Sequence, residues 1–578
     1  MNKINILDEA TINKIAAGEV IERPASVVKE LIENSIDAGA TDIKIEIKGN
    51  GIESIKIVDN GHGMSRDDAS IAFLKHATSK ICNVHDIETV RTMGFRGEAL
   101  SSITAVAKVE IVTKQDSDLA GTRIVIKGGE VKSIGETGAA NGTSMLVEDL
   151  FFNTPARKKF LKTGRTELAH IVDVVTRNAL GHNHISFHLS HDGKELFRSP
   201  ASGKLFDTII HIYGPELARD LMPVDFRTDL AVVTGYIAKP GITRSDKDRQ
   251  VFFINARPVS SSAISNALKL GFYTMLPKGR YPAAVLKISL DPEEVDVNVH
   301  PTKKHVRISH EPAIVDAIAD AVRNALDSQE LIPQKEPNTK QTALYGEMQL
   351  VQPPIQEVRS AFKVPPVDTS RRLKRTERFL TGTALNKESL PDIQILGQVD
   401  NVYILAKSRA GLVIVDQHAA HERILYEQVS GSGKRGSQEL ITPVNLELDS
   451  KERVLIKDYI PYLEEFGFSI SEFGPDSFAV TAVPNILGKL ENTAVVHDII
   501  SDVLAQGRKK DETGIFEHVS KSTACRGAIK AGAVLTKEQM ENLVVQLYNS
   551  KNPFTCPHGR PTIVAFDRND LDKLFKRI

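Results

Sequence analysis

Two patterns of hydrophobic and polar positions alternate along the N-terminal part of the chain. Alternating apolar and polar residues in "IKIEIKG" and "SIKIVDNG" predict strands that are closed by glycine or asparagine. The segment "PASVVKELIENSIDAGA" has helical periodicity, with Pro24 near its start and Gly39 just past its end, which predicts a helix over residues 25–38. The region up to about residue 330 therefore has a mixed α/β pattern.

The pattern changes between residues 331 and 388. Prolines punctuate a polar stretch there without apolar periodicity, which is the composition of a flexible linker. Its basic run "RRLKRTER" (371–378) fits either a solvated segment or a tether that contacts phosphates. Strand-like alternation resumes at "ILGQVDNVYILAKSRAGLVIVD", which predicts a second folded region over residues 389–578.

Length, charge and cysteine content narrow the class of protein. A chain of 578 residues is too long for one core, and its 73 Lys+Arg balance 74 Asp+Glu, so any DNA contact must be a local patch. Three cysteines exclude a disulfide scaffold and suit a reducing compartment. No run of about 18 apolar residues and no signal-peptide pattern occur, so we expect a cytoplasmic protein without a membrane span.

Polar side chains on the predicted helix 25–38 indicate a nucleotide site. Glu30 and Asn34 are four residues apart and share one face, where burying them without partners would cost several kcal/mol. Around a nucleotide, the acid could take a proton from water and the amide oxygen could hold Mg²⁺. Asp59, at the end of a predicted strand, could accept a hydrogen bond from an exocyclic amine.

Glycines extend this pattern. Gly61 and Gly63 follow Asp59 in "DNGHGM" and would let the backbone approach a ligand. In "TMGFRGEALSSI", glycines flank Phe95 and Arg96 before a helical pattern, so free N–H groups there would meet an anion. Each signal is weak alone, since "DNG" is more often a hairpin turn.

In this order the segments resemble the ATPase domain shared by DNA gyrase B, a heat-shock chaperone family, sensor histidine kinases and MutL. The segments "IAAGEVIERPASVVKELIENSIDAGAT", "KHATSKI", "GFRGEALSSI" and "LFFNTPARKKFLK" are similar to MutL mismatch-repair proteins in particular. The resemblance implies a domain in which ATP closes a lid and brings two N-terminal domains together, and hydrolysis releases them.

The resemblance also implies roles for residues at matching positions. It implies that Glu30 is the general base, Asn34 the magnesium ligand and Asp59 the adenine-reading carboxylate. Further cofactor-binding positions that it implies are Gly63 and Thr143 beside the base, Thr78, Ser79, Lys80, Gly94, Phe95, Arg96 and Gly97 in the lid, and Lys303 at the γ-phosphate.

The stretch "DQHAAHERILYE" (416–427) has two interpretations. After a buried strand 411–415, Asp416 could simply cap a surface helix over 417–429, worth about 1 kcal/mol. His418 and Glu422 could be an exposed pair at helical spacing. The rival interpretation is a metal site, because "TACRGAIKAG" and "CPHGRP" supply Cys525, Cys556 and His558, and alternation along an extended "CPH" would point its thiol and imidazole the same way.

The three segments together resemble the endonuclease type of MutL. The resemblance implies nicking of one DNA strand, with zinc tuning the site and Mn²⁺ or Mg²⁺ driving cleavage. It implies that Asp416, His418, Glu422, Cys525, Cys556 and His558 are metal ligands or catalytic groups, with Asp416 and Glu422 catalytic. His421 falls in an unconstrained position and is expected to face solvent. Glu427 fits the signature, and a role in supporting the helix alone stays open. Candidate phosphate contacts are Arg526, Lys530, Arg560 and Arg577.

The resemblance completes the predicted organisation. We expect an α/β (α+β) multidomain protein: a GHKL ATPase sandwich (1–205), a ribosomal-S5-like second subdomain (206–330), the linker (331–388) and a C-terminal dimerisation and endonuclease domain (389–578) with an insert at about 441–520. "QELITP" resembles a sliding-clamp contact through Gln438, Leu440 and Pro443, or it is an ordinary strand entry. Implied partners are DNA, MutS, the clamp and a second copy; a matchmaker with only a structural zinc site is the alternative.

Overall fold

A computed structural model describes most of the chain. The described residues are 18, 20–80, 93–94, 97–276, 279–291, 294–296, 307–328, 393–409, 411–430, 436–473, 477–487, 494–506, 512–529, 532–575 and 577. The predicted linker 331–388 with its basic run, and the predicted site residues Phe95, Arg96, Lys303 and Lys530, lie outside them. The chain forms two compact units: Met1–Gln329 with Gly433–Ser522, and Glu330–Ser432 with Thr523–Ile578.

An eight-stranded mixed sheet forms the N-terminal part of the first unit. Its strands, in the order β5-β4-β3-β6-β2-β1-β7-β8, pair antiparallel except for β1 with β7. The strands are β1 (Asp42–Lys48), β2 (Ser54–Asp59), β3 (Lys108–Lys114), β4 (Gly121–Lys127), β5 (Glu130–Thr137), β6 (Gly142–Glu148), β7 (Ser186–His191) and β8 (Lys194–Ser199). The alternating pattern predicted two of them correctly, because Ile43, Ile45 and Ile47 of β1 are buried while intervening residues are not.

Helices accompany this sheet. They are α1 (Pro24–Asp37), α2 (Arg66–Ile71), α3 (Ala99–Val106), α4 (Pro155–Phe160) and α5 (Gly164–Gly181). The predicted helix 25–38 is confirmed as α1: Pro24 occupies its first turn, where a missing N–H costs nothing, and Gly39 follows with φ of +72°. Helices α1 and α5 pack against each other.

A second sheet, with five strands, belongs to the first unit. Its order is β13-β12-β15-β10-β9, and a core that includes Phe252, Leu286 and Ile318 fills the space between the sheet and two helices. The elements are α6 (Leu205–Tyr213), α7 (Pro215–Arg219), β9 (Leu221–Arg227), β10 (Ala231–Ala238), β11 (Thr243–Arg244), β12 (Gln250–Ile254), β13 (Arg257–Val259), α8 (Ser262–Phe272), β14 (Tyr281–Pro282), β15 (Ala284–Leu290), β16 (Val295–Asp296), β17 (Arg307–Ile308) and α9 (Glu311–Asp327).

Residues 437–506, here called the inserted stretch, complete the first unit. A three-stranded sheet in the order β21-β23-β22 carries two helices. Its elements are numbered from β21 and α11 because β18–β20 and α10 of the second unit come earlier in the chain. They are β21 (Ser437–Leu446), α11 (Ser450–Glu465), β22 (Ser469–Glu472), β23 (Phe478–Pro484) and α12 (Ala494–Gln506).

The second unit is an antiparallel four-stranded sheet, β18-β19-β20-β24, with helices on it. Its core joins strand residues such as Val413 and Val415 to Ala420, Ile424 and Leu547 of two helices. The elements are β18 (Gln394–Val399), β19 (Tyr403–Ser408), β20 (Gly411–Asp416), α10 (Gln417–Ser430), α14 (Lys537–Tyr548), β24 (Ile563–Phe566) and α15 (Arg568–Leu574); α13 (Glu512–Gly527) leads into this unit. Among the described helices, none has the length and apolarity needed to cross a membrane.

Candidate functional site

The first candidate site lies on α1, where Glu30 keeps 23% of its side chain exposed. Lys29 Nζ lies 2.9 Å from Glu30 Oε1 and 2.9 Å from Glu33 Oε1. Burial alone would lower the pKa of Lys29, but the two carboxylates outweigh it and raise the pKa above its ordinary value. A permanent cation therefore stands beside Glu30, and sequence reasoning missed it.

Asp59 ends β2 and is held by three donors. Its Oδ1 accepts hydrogen bonds from the backbone N–H of Gly61 (2.9 Å) and of Thr143 (3.3 Å). Its Oδ2 accepts one from Ser35 Oγ at 2.8 Å, a residue that sequence reasoning did not identify although it is a hydroxyl on the buried face of α1. The carboxylate is 8% exposed and is fixed in orientation by these bonds.

Gly63 and Thr143 lie near Asp59, and both have roles in the fold itself. Gly63 has φ of +68°, and a Cβ there would lie 2.1 Å from Lys114 O, so the close approach predicted for a ligand is an approach of backbone to backbone. Thr143 Oγ1 lies 3.0 Å from Thr113 Oγ1, which also accepts a hydrogen bond from Met64 N.

The predicted lid residues Lys80 and Gly94 meet at Asp37, the last residue of α1. Asp37 Oδ2 accepts hydrogen bonds from Lys80 Nζ (2.6 Å) and Gly94 N (3.1 Å), and its Oδ1 accepts one from Met93 N (2.9 Å). Lys80 Nζ also donates to Asn34 Oδ1 at 3.0 Å, so a cation already contacts the amide oxygen predicted to bind Mg²⁺. Sequence reasoning missed Asp37, although it lies three residues after Asn34.

The remaining predicted lid residues are close to this junction. Lys80 N donates to Thr78 Oγ1 at 3.2 Å, and Ser79 is exposed. Gly97 has φ of +63°, and its carbonyl accepts a hydrogen bond from His76 N at 3.1 Å. Segment 76–80 is thus tied to Gly97, and Lys80, Met93 and Gly94 are tied to the end of α1.

We expect Asp37→Asn to loosen this junction. The amide loses the charge that pairs with Lys80, and a buried charge-assisted bond of this kind contributes about 1–3 kcal/mol. Urea denaturation should show that loss of stability, and amide exchange in a peptide covering 76–80 should become faster. Asp42→Asn, which removes a half-exposed carboxylate 3.7 Å from Lys44, is the matched control and should leave both unchanged. Equal exchange in the two variants would show that Asp37 does not hold the segment.

The second candidate site is a three-residue cluster in the second unit. Ligand atoms of Glu422, Cys556 and His558 all lie within 4.8 Å of one another. Glu422 and Cys556 are each 2% exposed, and His558 Nδ1 lies 2.6 Å from Glu422 Oε1. A carboxylate, a thiol and an imidazole at this separation are the donor types that zinc takes in proteins.

The side chains of the cluster strongly affect one another's pKa values. Hydrogen bonds to Cys556 and Glu422 raise the pKa of His558 to about 9. Burial would raise the pKa of Glu422, but its contacts with His558, Cys556 and the Cys525 thiol outweigh burial and lower it. The structure thus brings Cys525 to Glu422 as well, and three of the six predicted residues form the described cluster itself.

Asp416 and His418 precede Glu422 at the strand–helix junction. Asp416 Oδ1 accepts a hydrogen bond from Ala419 N at 2.9 Å, so the helix-capping interpretation is correct as far as this oxygen goes. His418 Nδ1 donates to Ile529 O at 2.8 Å, which leaves Nε2 with the lone pair. Neither residue belongs to the three-residue cluster.

Two predictions about this region are wrong. His421 is half-buried rather than solvent-facing: its Nδ1 accepts a hydrogen bond from Ile529 N at 2.9 Å, and burial lowers its pKa. Nor does an extended chain align Cys556 with His558. A tight turn brings them together, with Gly559 N donating to Cys556 O (2.9 Å) and His558 N to Cys556 Sγ (3.4 Å).

Helix α10 holds this turn in place through side chains that sequence reasoning did not assign to it. Glu427 accepts hydrogen bonds from the N–H groups of Lys551 (2.6 Å) and Asn552 (3.1 Å), and Arg423 Nε donates to Thr555 O at 2.6 Å. Glu422 projects from the same helix, so its position relative to the turn is fixed by both neighbours.

The candidate phosphate contacts differ in exposure. Arg560 and Arg577 are exposed, Arg526 is half-buried, and Lys530 lies outside the described residues. In the inserted stretch, β21 has a register shift between Glu439 and Val444, and Ile441 between them is fully exposed. "QELITP" is therefore part of a strand, with a bulge at its centre.

Comparison with known proteins gives three matches in chain order. A model of the histidine kinase-, DNA gyrase B-, and HSP90-like ATPase matches residues 21–133, one of the DNA mismatch repair protein, C-terminal domain, matches 209–327, and one of the MutL C terminal dimerisation domain matches 396–535. The chain is 46% identical to the DNA mismatch repair protein MutL of Methanoculleus marisnigri over 590 residues, covering 100% of both. This chain belongs to the MutL family of DNA mismatch repair proteins.

Other relatives agree. MutL of Methanocorpusculum labreanum is 41% identical over 593 residues, again with 100% of both chains covered. A crystal structure of the N terminal domain of a DNA repair protein is 31% identical, and the match covers 55% of this chain and 99% of that one, with a TM-score of 0.49. As a MutL-family protein, the chain has an N-terminal GHKL-type ATPase domain that binds ATP and a C-terminal MutL dimerisation domain, which supports a homodimer acting in DNA mismatch repair.

Proposed function

We propose that this MutL-family protein is an ATP-regulated, metal-dependent endonuclease that nicks one DNA strand downstream of MutS. The observation that carries the proposal is the convergence of Glu422, Cys556 and His558, whose ligand atoms lie within 4.8 Å. A buried carboxylate is costly to keep as plain core, and a metal ion would use it together with the thiol and the imidazole.

Contacts on α1 support the roles that we assign to residues of the ATP site. Glu30 is the general base for hydrolysis, and Lys29 Nζ, 2.9 Å away, orients its carboxylate. Asn34 is the Mg²⁺ ligand, and the hydrogen bond that its oxygen accepts from the Lys80 ammonium supports this role. Asp59 reads the adenine amine, with Gly63 and Thr143 beside the base, and the lid residues Thr78, Ser79, Lys80, Gly94 and Gly97 cover the phosphates, with Phe95, Arg96 and Lys303 completing the site.

The metal centre would be held by residues of the second unit. His418, Cys525, Cys556 and His558 are zinc-type donors, and Asp416 and Glu422 supply hard oxygen donors for Mn²⁺ or Mg²⁺. When bound, the metals would activate water and stabilise the leaving oxygen of the phosphodiester. The chain's own contribution is orientation: Ile529 O fixes the His418 tautomer, and the turn at 556–559 sets the thiol against the imidazole.

Exposed side chains support the proposed contacts with DNA and with a sliding clamp. The exposed Arg560 and Arg577, with Arg526 and Lys530, would contact DNA phosphates. The bulge of β21 presents an apolar side chain, Ile441, among Gln438, Leu440 and Pro443, which suits docking into the apolar groove of a sliding clamp. MutS bound at a mismatch would act upstream.

A plasmid-nicking assay tests the whole proposal. Purified homodimer is incubated with supercoiled plasmid and Mn²⁺, Mg²⁺, Zn²⁺ or chelator, with and without sliding clamp. We expect open-circle product with Mn²⁺, more of it with the clamp, and none with chelator. Absence of product with every metal and with the clamp would contradict the endonuclease.

One observation favours a second candidate function, an ATP-dependent matchmaker with a structural zinc site. Asp416 engages a backbone N–H as a helix cap and lies outside the three-residue cluster. A closed structural zinc would keep four protein ligands and leave DNA uncut when Mn²⁺ is added. Zinc content with no nicking would favour this alternative.

We expect Glu427→Gln to weaken the metal centre without removing a ligand. The amide keeps one acceptor for the N–H groups of Lys551 and Asn552 but loses the charge, so the turn that carries Cys556 is held less firmly. Zinc affinity, measured by chelator competition, should fall about tenfold. Glu541→Gln, an exposed acid on α14, is the control and should retain wild-type affinity. Equal affinity in both variants would show that Glu427 serves only α10.

A further inference from the structure

The inserted stretch meets the rest of the first unit through opposite charges. Here the name docking face is given to a set of residues from the segment 165–280: Arg165, Asp173, Arg244, Asp248, Arg249 and Arg280. Their partners in the inserted stretch are mostly acids. The pairs are Arg165 with Asp458 (2.5 Å), Arg280 with Asp498 (3.0 Å), Lys451 with Asp173 (3.1 Å) and Asp248 (3.3 Å), and Glu452 with Arg249 (3.3 Å) and Arg244.

Glu452 is the centre of this network. Its two oxygens accept from Arg244 and Arg249, and Oε2 also accepts from Asp449 N in the capping box that starts α11. Burial would raise the pKa of Glu452, but the two guanidinium groups outweigh burial and hold it well below its ordinary range. A carboxylate that is 4% exposed needs such partners, so the start of α11 is built for a basic surface.

The signs of the paired charges are reversed at one point of the contact, and this reversal favours one register of α11 along α5. Lys451 is the exception among the acids, and it faces two acids, Asp173 and Asp248. Asp173 is also paired within α5 to Arg177 at 3.0 Å, and these cations hold its pKa below its ordinary range although burial would raise it. A shift of α11 along α5 would take Lys451 away from Asp173, and a shift toward Arg177 would also place it against a cation, so both changes oppose other registers.

The docking face reaches the ATP site through one helix. Helix α5 packs against both α11 and α1, and α1 carries Glu30 and Asn34. Packed helices transmit displacement because interiors are close-packed. Undocking α11 would therefore free one side of the helix that supports the nucleotide-binding helix.

We propose that the docking face binds the inserted stretch of the same chain through ion pairs, and that this contact restrains α5 and, through it, α1. The occupant is identified by the charge complementarity: acids opposite arginines, and one lysine opposite two acids. The contact goes beyond the endonuclease proposed above and does not depend on it, since its test requires neither ATP hydrolysis nor DNA cleavage.

Hydrogen–deuterium exchange of the full-length chain tests the proposal. Lys451→Glu should make amides of Gly164–Gly181 exchange about fivefold faster, because a like charge then faces Asp173 and Asp248. Lys457→Glu is the matched control: it reverses a charge on the same helix, but Lys457 pairs within the inserted stretch, with Glu472 at 2.7 Å. That variant should exchange like the wild type over 164–181. Equal exchange in the Lys451→Glu variant and the wild type would overturn the proposal.

A charge swap at the half-exposed rim gives a second test that does not disturb the fold. Asp458→Arg should speed exchange over 164–181, because it opposes Arg165, and adding Arg165→Asp should restore protection. Raising NaCl to about 1 M should move the wild type toward the single variant, since salt screens partly exposed pairs. A double variant that exchanges as fast as Asp458→Arg alone would show that the two segments do not meet through this pair.

Discussion

Asp416→Asn is expected to reduce Mn²⁺-dependent nicking of supercoiled plasmid to below about one per cent of the wild-type rate, while ATP hydrolysis stays unchanged. The substitution separates the two interpretations of this residue. Asparagine caps a helix as well as aspartate does, so the amide oxygen can still accept from Ala419 N and α10 should form as before. The negative charge is lost, and with it the stronger attraction that a carboxylate has for a divalent cation.

The control for this result lies in the same unit. Asp567 caps α15 by accepting from Asp570 N at 2.7 Å, so Asp567→Asn makes the same chemical change at a helix start without a metal site. It should nick like the wild type. If the Asp416→Asn variant also nicked at the wild-type rate, Asp416 would be a cap alone and the endonuclease assignment would lose a catalytic residue.

Glu30→Ala is expected to keep ATP binding and to lose turnover by at least about 100-fold, since a positioned general base contributes that much or more. The local structure should survive, because Lys29 keeps Glu33 as its partner at 2.9 Å. Binding is measured by fluorescence titration with a labelled nucleotide, and turnover by phosphate release.

The matched control for Glu30 is Glu33→Gln. Both acids pair with Lys29 at the same distance, but Glu33 is buried away from the exposed side of α1. The Glu33→Gln variant should bind and hydrolyse ATP. Loss of binding in the Glu30→Ala variant, or equal loss of turnover in both variants, would show that the ion-pair cluster rather than one carboxylate is required.

The sequence was sufficient for elements whose determinants are local. Helix α1 follows from its apolar spacing and Pro24, and β1 from the alternation of isoleucines. Family resemblance supplied the organisation, which the comparisons confirm as an ATPase domain followed by a MutL dimerisation domain. The helix and the strand depend on residues a few positions apart, so both can be recognised in a single sequence.

Side-chain partners that are distant in sequence could not be predicted in this way. Asp37 meets Met93 and Gly94, and Arg423 meets Thr555, through contacts that only the fold creates. His421 was misassigned for the same reason, since its partner Ile529 lies on another segment. The alternation of side chains along an extended chain does not apply at 556–559, because Gly559 has a φ of +81° and the chain turns there.

The second unit is discontinuous in sequence, and this has a consequence for how the protein is made. Glu422 leaves the ribosome well before Cys556, and the whole inserted stretch is synthesised between them. At a synthesis rate of about 5–20 residues per second, the helix that carries Glu422 waits on the order of ten seconds for its partners. The cluster of Glu422, Cys556 and His558 is thus completed only after the inserted stretch has been synthesised, and a nascent chain still lacking Cys556 and His558 can already hold a finished nucleotide domain.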